Sequence, residues 1–451
     1  MRDTKLVGWY GRLVGACLLV MGCNQKAQET KLAPAALEKD QVTLGFIKLT
    51  DCAPLVLAKE LGYFEDEGLN VTLQAQANWK VLLDRVIDGQ IDGAHMLVGQ
   101  PLGAAVGIGT SGDIAVVASL DLNGNAITVS NKLWESVESS LPKDSAGKVK
   151  HPISASYLRP AIDAAKRKGT PVKFGMVFPV STHNYQLRYW LAAGGIHPGL
   201  YSQADINGNT GGDVSISVTP PPQMPSTMES GTIDGYCVGE PWNQQAVTKS
   251  IGVPVIASVD IAMDHAEKVM GLSSAFLKKN PNTAVAITKA ILRAQKWLDT
   301  LANRPKAVSI LARGEYVGAD SAVIAHSMTG TFEYAKGDIR PAEDFNVFWN
   351  RQASYPFYSD AIWYLTQMRR WGQISESKPD SFYLGIARKV YHPEVWKKAA
   401  EELVADGLLN VTEIPSTDGF RPTTKSFIDG ISFDGKSPNA YLASLPLGNK
   451  E

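Results

Sequence analysis

Ser181, Thr182 and His183 stand where the apolar run VKFGMVFPV (172–180) gives way to a helical pattern, STHNYQLRYW (181–190). A hydroxyl at such a junction caps the helix. The free N–H groups of the first turn can hold an anion, and the imidazole adds a ring donor. The same histidine has other readings: a catalytic base, a metal ligand, or a capping neighbour with no ligand. A base needs a nucleophile or carboxylate partner, yet the chain has no G-x-S-x-G elbow. A metal site needs further ligands, yet the seven histidines are scattered and no H-E-x-x-H occurs. The anion pocket is the favoured reading, with no catalytic residue and no metal site expected.

Three more strand-to-helix junctions carry polar chemistry. Lys48 interrupts the apolar end of QVTLGFIKL, followed by Thr50 and Asp51. The ammonium is either an anion contact, together with backbone N–H groups of this junction, or an exposed charge, with Thr50 and Asp51 then serving only to cap the next helix. Asn78 and Trp79 open another helix, where an indole packs in the core or closes over a small ligand with its N–H. In GEPW, Gly239, Glu240 and a proline open a third helix; Glu240 sits near its positive end, pairs with a ligand cation or makes an indirect contact. Asn125 in LNGNA offers an amide to an oxyanion, or simply forms a turn.

The elements that must position these residues are α/β. A strand at 41–49, a helix at 53–64 and a strand at 69–76 make a βαβ unit, which predicts a parallel sheet. Strands at 91–97 and 113–122 extend it. A second α/β set runs from 155 to 259, region 280–400 is mostly helical, and the Pro-, Gly- and Ser-rich tail 411–451 reads as a surface strap. Two such sets in tandem predict two lobes with a cleft at the carboxyl ends of the strands. A formal net charge of −1 gives no global field for nucleic acid, and there is no Walker loop and no basic-aromatic stripe.

Residues 1–22 read as a secretory signal, with a basic start and the short apolar stretch LVGACLLVMG. That stretch ends at Cys23 in a lipobox-like VMGC, so Cys23 is the expected lipidation site and 23–41 a lipid-anchored tether. Cys52 and Cys237 remain, too far apart in sequence to indicate a disulfide framework or a zinc site; unpaired thiols are favoured over a bridge.

Several phrases together carry a resemblance: LGFIKLTDCAPLVLAKELGYFEDEGLNVTL, IDGAHML, LDLNGNAITVSN, FPVSTHNYQLRYWLAAGGI, PPPQM, GTIDGYCVGEPWNQQAV and SYPFYSDAIWYLTQMRRWGQI. Over roughly 42–445 the chain resembles the nitrate- and bicarbonate-binding lipoproteins of ABC importers. The resemblance implies a two-lobed type II periplasmic binding protein, a C-clamp with a helical C-terminal extension and a strap. Lobe I is expected at 42–125 and 240–451, and lobe II at 126–239. It implies ligand contacts at Trp79, Asn125, Thr182, His183, Pro222 and Gly239, with Asn125 where nitrate binders have a glutamine. The family's charged position, lysine in nitrate binders and acidic in the calcium-assisted bicarbonate binder, aligns with Met263, and Lys48 is the candidate to replace that charge.

The implied function is capture of nitrate on the periplasmic or exoplasmic face of a bacterial membrane. Delivery is to an ABC permease with its ATPase subunits, and no cofactor is expected. Bicarbonate with calcium, or nitrite, is the near alternative, and an enzyme on the same fold using His183 the distant one. A cytoplasmic nitrate sensor is disfavoured by the export signal.

Overall fold

The computed structural model describes residues 36–423 and 427–449. The expected signal segment, Cys23 and most of the tether lie outside the described residues. The last residues of that tether do not behave as one. Leu37 packs against the core, Glu38 accepts hydrogen bonds from the backbone N–H groups of Asn282 and Thr283, and Lys39 pairs with Asp92 at 2.6 Å. Among the described residues no helix is long and apolar enough to cross a membrane.

Two sheets form the frame. The first holds β1 (Gln41–Phe46), β2 (Asn70–Ala75), β3 (Gly93–Leu97), β4 (Ile114–Asn123), β12 (Ala266–Ser273) and β15 (Asn346–Val347), in the order β15-β4-β12-β3-β1-β2. The second holds β5 (Asn125–Ser130), β6 (Lys173–Met176), β9 (Ser215–Val218), β10 (Gly235–Gly239) and β11 (Gly252–Ala257), in the order β11-β5-β10-β6-β9. Two hairpins, β7 (Leu200–Ser202) with β8 (Asp205–Thr210) and β13 (Thr331–Ala335) with β14 (Asp338–Pro341), stand outside these sheets.

Neither sheet is purely parallel. β1 runs parallel to β2 and β3, but β12 is antiparallel to both β3 and β4. In the second sheet β5 is antiparallel to β10 and β11. Apart from the two-residue edge strand β15, which is antiparallel to β4, the exceptions are strands on which the chain enters a new lobe. β4 passes into β5 through Gly124, and β11 returns to β12 through the short helix Ser258–Ile261. The lobe boundary therefore does not fall at 239/240, because β11 completes the second sheet and the return comes after Ala257.

The two passages are tied together. The Asn123 N–H donates to the His265 carbonyl, and the Asp264 N–H to Asn123 Oδ1, each at 3.0 Å. Gly124 has φ +90°, and a Cβ there would lie 2.3 Å from Asn346 Oδ1. Only glycine fits that turn.

Local chemistry aims the helices. Asn78 caps the helix Trp79–Ile87 by accepting from the Val81 N–H, and Ser181 caps the helix Thr182–Ala193 by accepting from the Asn184 N–H. Both helix starts lie at the carboxyl ends of strands β2 and β6. The C-terminal helix Tyr358–Arg370 contacts the helix Gly99–Val106 of the first lobe and the helix Thr182–Ala193 of the second. The strap holds that arrangement: Tyr189 donates to Asp429 and Arg370 to the Leu447 carbonyl. It also contains a short helix, Pro438–Ser444, which its composition did not predict.

Candidate functional site

Buried polar side chains gather where the two sheets face each other. Trp79, His183, Glu267 and Lys268 are fully buried. The Lys268 ammonium lies 2.7 Å from Asp51 Oδ2 and 2.5 Å from Glu267 Oε1, with the Trp79 ring 5.8 Å away. Asp51 is held from its other oxygen by His95 Nε2 at 2.7 Å. From the second lobe, His183 Nε2 approaches Glu267 Oε1 to 3.5 Å.

The strand β12 explains how neighbours 267 and 268 reach one site. Successive strand residues normally point to opposite faces. Here the pairing with β4 slips on both sides of Lys268, between Ala266 and Lys268 and between Lys268 and Val269, and once more between Met270 and Gly271. Such a bulge re-aims side chains, and the Lys268 Nζ–Glu267 Oε1 contact is its result.

Electrostatics sort the group into charged and neutral members. Burial opposes the charge on Lys268, but Asp51 and Glu267 outweigh it and hold its pKa above the ordinary value. Burial would raise Glu267, yet Lys268 and then His183 hold it well below the usual carboxylate range. Asp51 is likewise lowered against burial, by Lys268 and His95. Asp121, whose Oδ1 accepts from the Lys268 N–H at 3.0 Å, is driven well above its ordinary value by burial and by Asp51. Burial lowers His95, and pushes His183 down to about 4, so both rings are neutral at pH 7 in the ligand-free protein.

Several donors in this buried group have no partner among the described residues: Trp79 Nε1, Gln186 Nε2 and whichever His183 ring nitrogen carries hydrogen. A folded protein rarely leaves such groups unsatisfied, so their concentration beside one ammonium marks a place for a ligand rich in acceptors. The first-turn N–H groups of Thr182 and His183 lack intrahelical acceptors by geometry and add to it.

The expected contacts divide. Trp79, Thr182, His183 and Gly239 converge. Tyr364 Oη lies 3.1 Å from Thr182 Oγ1 and also donates to the Ala266 carbonyl, so the threonine hydroxyl is engaged and its backbone N–H is the free group. A Cβ on Gly239 would lie 3.2 Å from Asp51 Oδ2 and 3.3 Å from Asn125 Oδ1, so this residue is the thin wall between the lobes.

Asn125 is present, with its amide nitrogen turned to a neighbouring side chain. Its Nδ2 donates to Gln186 Oε1 at 3.2 Å, which leaves Gln186 Nε2 as the unpartnered donor. Pro222 is exposed in the turn Pro221–Gln223, outside the cluster. Lys48 does not supply the charge: its ammonium donates to the Gly314 carbonyl at 2.6 Å, and only its own carbonyl serves the interlobe contact, accepting from Trp242 Nε1. Met263 is 52% exposed. The buried charge in that segment is Lys268, five residues on. Cys52 and Cys237 are separate buried thiols.

Glu240 is a neutral latch rather than a partner for a ligand cation. Its backbone carbonyl accepts from the Thr50 N–H across the lobes at 2.8 Å, and its Oε2 accepts from the Gln244 N–H. Burial pushes its pKa from 4.5 to about 8. Between those values the unfolded chain releases a proton that the folded one keeps. Stability therefore falls as pH rises, by at most about 1.4 kcal/mol per pH unit. Glu240→Gln should remove this component, raising the melting temperature above wild type at pH 8 while leaving the two nearly equal at pH 5. An equal displacement at both pH values would contradict a protonated Glu240.

Comparison with known proteins agrees with this architecture. A model of the NMT1-like family matches residues 35–312. The nitrate/nitrite binding protein NrtA of Nostoc sp. is 35% identical over 466 residues, spanning 97% of this chain and 96% of that protein. The nitrate import ATP-binding protein NrtC of Synechocystis sp. is 35% identical over 417 residues, which cover 91% of this chain but 56% of that longer protein. The crystal structure of the periplasmic nitrate-binding protein NrtA from Synechocystis aligns with a TM-score of 0.80 at 31% identity, over 92% of this chain and 100% of that one. The alkanesulfonate-binding protein SsuA from Xanthomonas axonopodis pv. citri shares the fold alone, with a TM-score of 0.50 at 16% identity over 79% of this chain and 100% of that one. By sequence coverage and by its two-lobed fold, the chain belongs to the NMT1-like family of solute-binding proteins, among relatives of the NrtA type.

Proposed function

We propose that this protein is the substrate-binding component of an ABC importer and captures nitrate between its lobes. The observation that carries this reading is the group of unpartnered donors, Trp79 Nε1, Gln186 Nε2 and the His183 ring, beside the Lys268 ammonium. Nitrate is a planar monovalent anion that only accepts hydrogen bonds. Donors converging from both lobes satisfy it when the lobes close. Closure is then the signal a permease reads, a population shift driven by the ligand. The NrtA relatives and the NrtC ATP-binding relative support partners of the ABC type and an extracytoplasmic location; the lipobox-like VMGC supports a lipid anchor at Cys23.

Calcium-assisted bicarbonate binding is disfavoured by Lys268, which sits between the Asp51 and Glu267 carboxylates that a divalent cation would require. His183 faces a carboxylate and no nucleophile, which supports binding rather than turnover. Calorimetric titration of the full chain with nitrate, nitrite and bicarbonate, with and without calcium, tests the assignment. Nitrate should bind without calcium; bicarbonate binding that requires calcium, with no nitrate heat, would overturn it.

A further inference from the structure

His183 stands between two acceptors once an oxyanion is bound. One ring nitrogen faces Glu267 Oε1 at 3.5 Å, and the other is left for the ligand. A neutral imidazole carries a single N–H, so it serves the anion or the carboxylate and presents a lone pair to the remaining acceptor. An imidazolium donates to both.

The charges around the ring point the same way. Glu267, Lys268, Asp51 and His265 act on it directly. His95 on β3 and Asp121 on β4 face Asp51 and Lys268 in turn. Cys237 on β10, with Glu240 after it, Asp260 on the interlobe helix and Tyr364 of the C-terminal helix belong to segments packed against its helix or following those packed against it. On the helix of His183 itself, Arg188 lies beyond the next turn, where its guanidinium is bonded to the carbonyls of Gly199 and Gly208. Glu240 is protonated, Asp121 is driven well above its ordinary value, and Tyr364 and Cys237 are raised by burial. Asp51 and Glu267 therefore face one cation, Lys268. The sealed cluster already holds more negative than positive charge before an anion enters it.

We propose that anion capture is proton-linked: His183 takes a proton from solvent as the oxyanion enters, donating one N–H to Glu267 and the other to the anion. This rests on the nitrate-binding reading and extends it. Only a proton moves, and no bond to the anion forms. The proton has a route. His265 Nδ1 donates to the Ala262 carbonyl at 2.7 Å, and its Nε2 lies 3.7 Å from Glu267 Oε2. The same ring lines a small cavity under the strap, with Asp360, Trp363 and Arg421. His265 thus connects Glu267, the partner of His183, to that cavity.

The test is nitrate calorimetry on the full chain between pH 6 and 8, in buffers of different ionisation enthalpy. The expected result is uptake of roughly one proton per nitrate and an affinity that falls by up to about 10-fold per pH unit. His183→Gln should bind more weakly, with no uptake and no pH dependence in this interval. Nitrogen NMR of histidine-labelled wild type reads the same event directly: the His183 ring carries one hydrogen in the free protein and two when saturated with nitrate at pH 7. Nitrate binding with equal affinity at pH 6 and 8, no proton uptake and an unchanged ring would overturn the linkage while leaving the function standing. Persistence of full uptake in His183→Gln would also overturn it. Absence of nitrate binding at every pH would overturn the function and the linkage with it.

Discussion

Lys268→Met is expected to abolish measurable nitrate binding, a loss of roughly 100-fold or more, and to destabilise the fold. Among the described residues the ammonium is the one lysine or arginine charge in contact with both Asp51 and Glu267. Its removal withdraws a charged donor from the ligand, worth about 1.5–3 kcal/mol by itself. It also leaves two carboxylates buried without their cation, and breaking such a pair costs about 3–5 kcal/mol. The two effects separate in a double variant. Glu267→Gln added to Lys268→Met should recover much of the lost melting temperature, because one of the orphaned charges is gone, without restoring nitrate binding. Denaturation monitored by circular dichroism and calorimetry on the same samples reads both. Recovery of binding in the double variant would show that Lys268 serves only to neutralise its neighbours.

His183→Ala should weaken nitrate binding by roughly 10- to 100-fold, the range for losing one hydrogen bond to a charged group. The fold should survive it, because the ring makes no hydrogen bond within the described protein and the helix cap is Ser181, not His183. Thermal unfolding should therefore shift far less than for Lys268→Met. A histidine that only fills space predicts the reverse pattern, an unchanged affinity with a clear loss of stability.

The sequence made the α/β frame and one half of the site legible. Caps at Asn78 and Ser181, the proline opening the helix Ala53–Glu60 and the alternation of apolar runs with helical patterns located most strands and helix starts. Trp79, Thr182, His183 and Gly239 were visible because each stands at such a junction. The other half was hidden in strand interiors. AEKVMGLS carries an acid and a base side by side, which argues against a central strand, yet β12 is buried along nearly its whole length. Glu267 and Lys268 break the apolar pattern because they hold the site, and the bulge that brings them together depends on pairing with β4 far away in the sequence. His95 and Asp121 likewise lie inside strand patterns, with no junction to mark them. Lys48 misled for the opposite reason: it interrupts an apolar run at a junction, but its ammonium finds the Gly314 carbonyl instead of a ligand. Gln186 had a readable signal, since it lies three residues beyond His183 on the same helix and so shares its face.

The most direct test of the account is a crystal structure of the protein grown in nitrate. The anion should lie between the lobes, within hydrogen-bonding distance of Trp79 Nε1, Gln186 Nε2, the His183 ring and the Lys268 ammonium. A nitrate bound elsewhere, with those donors still unpartnered, would contradict it.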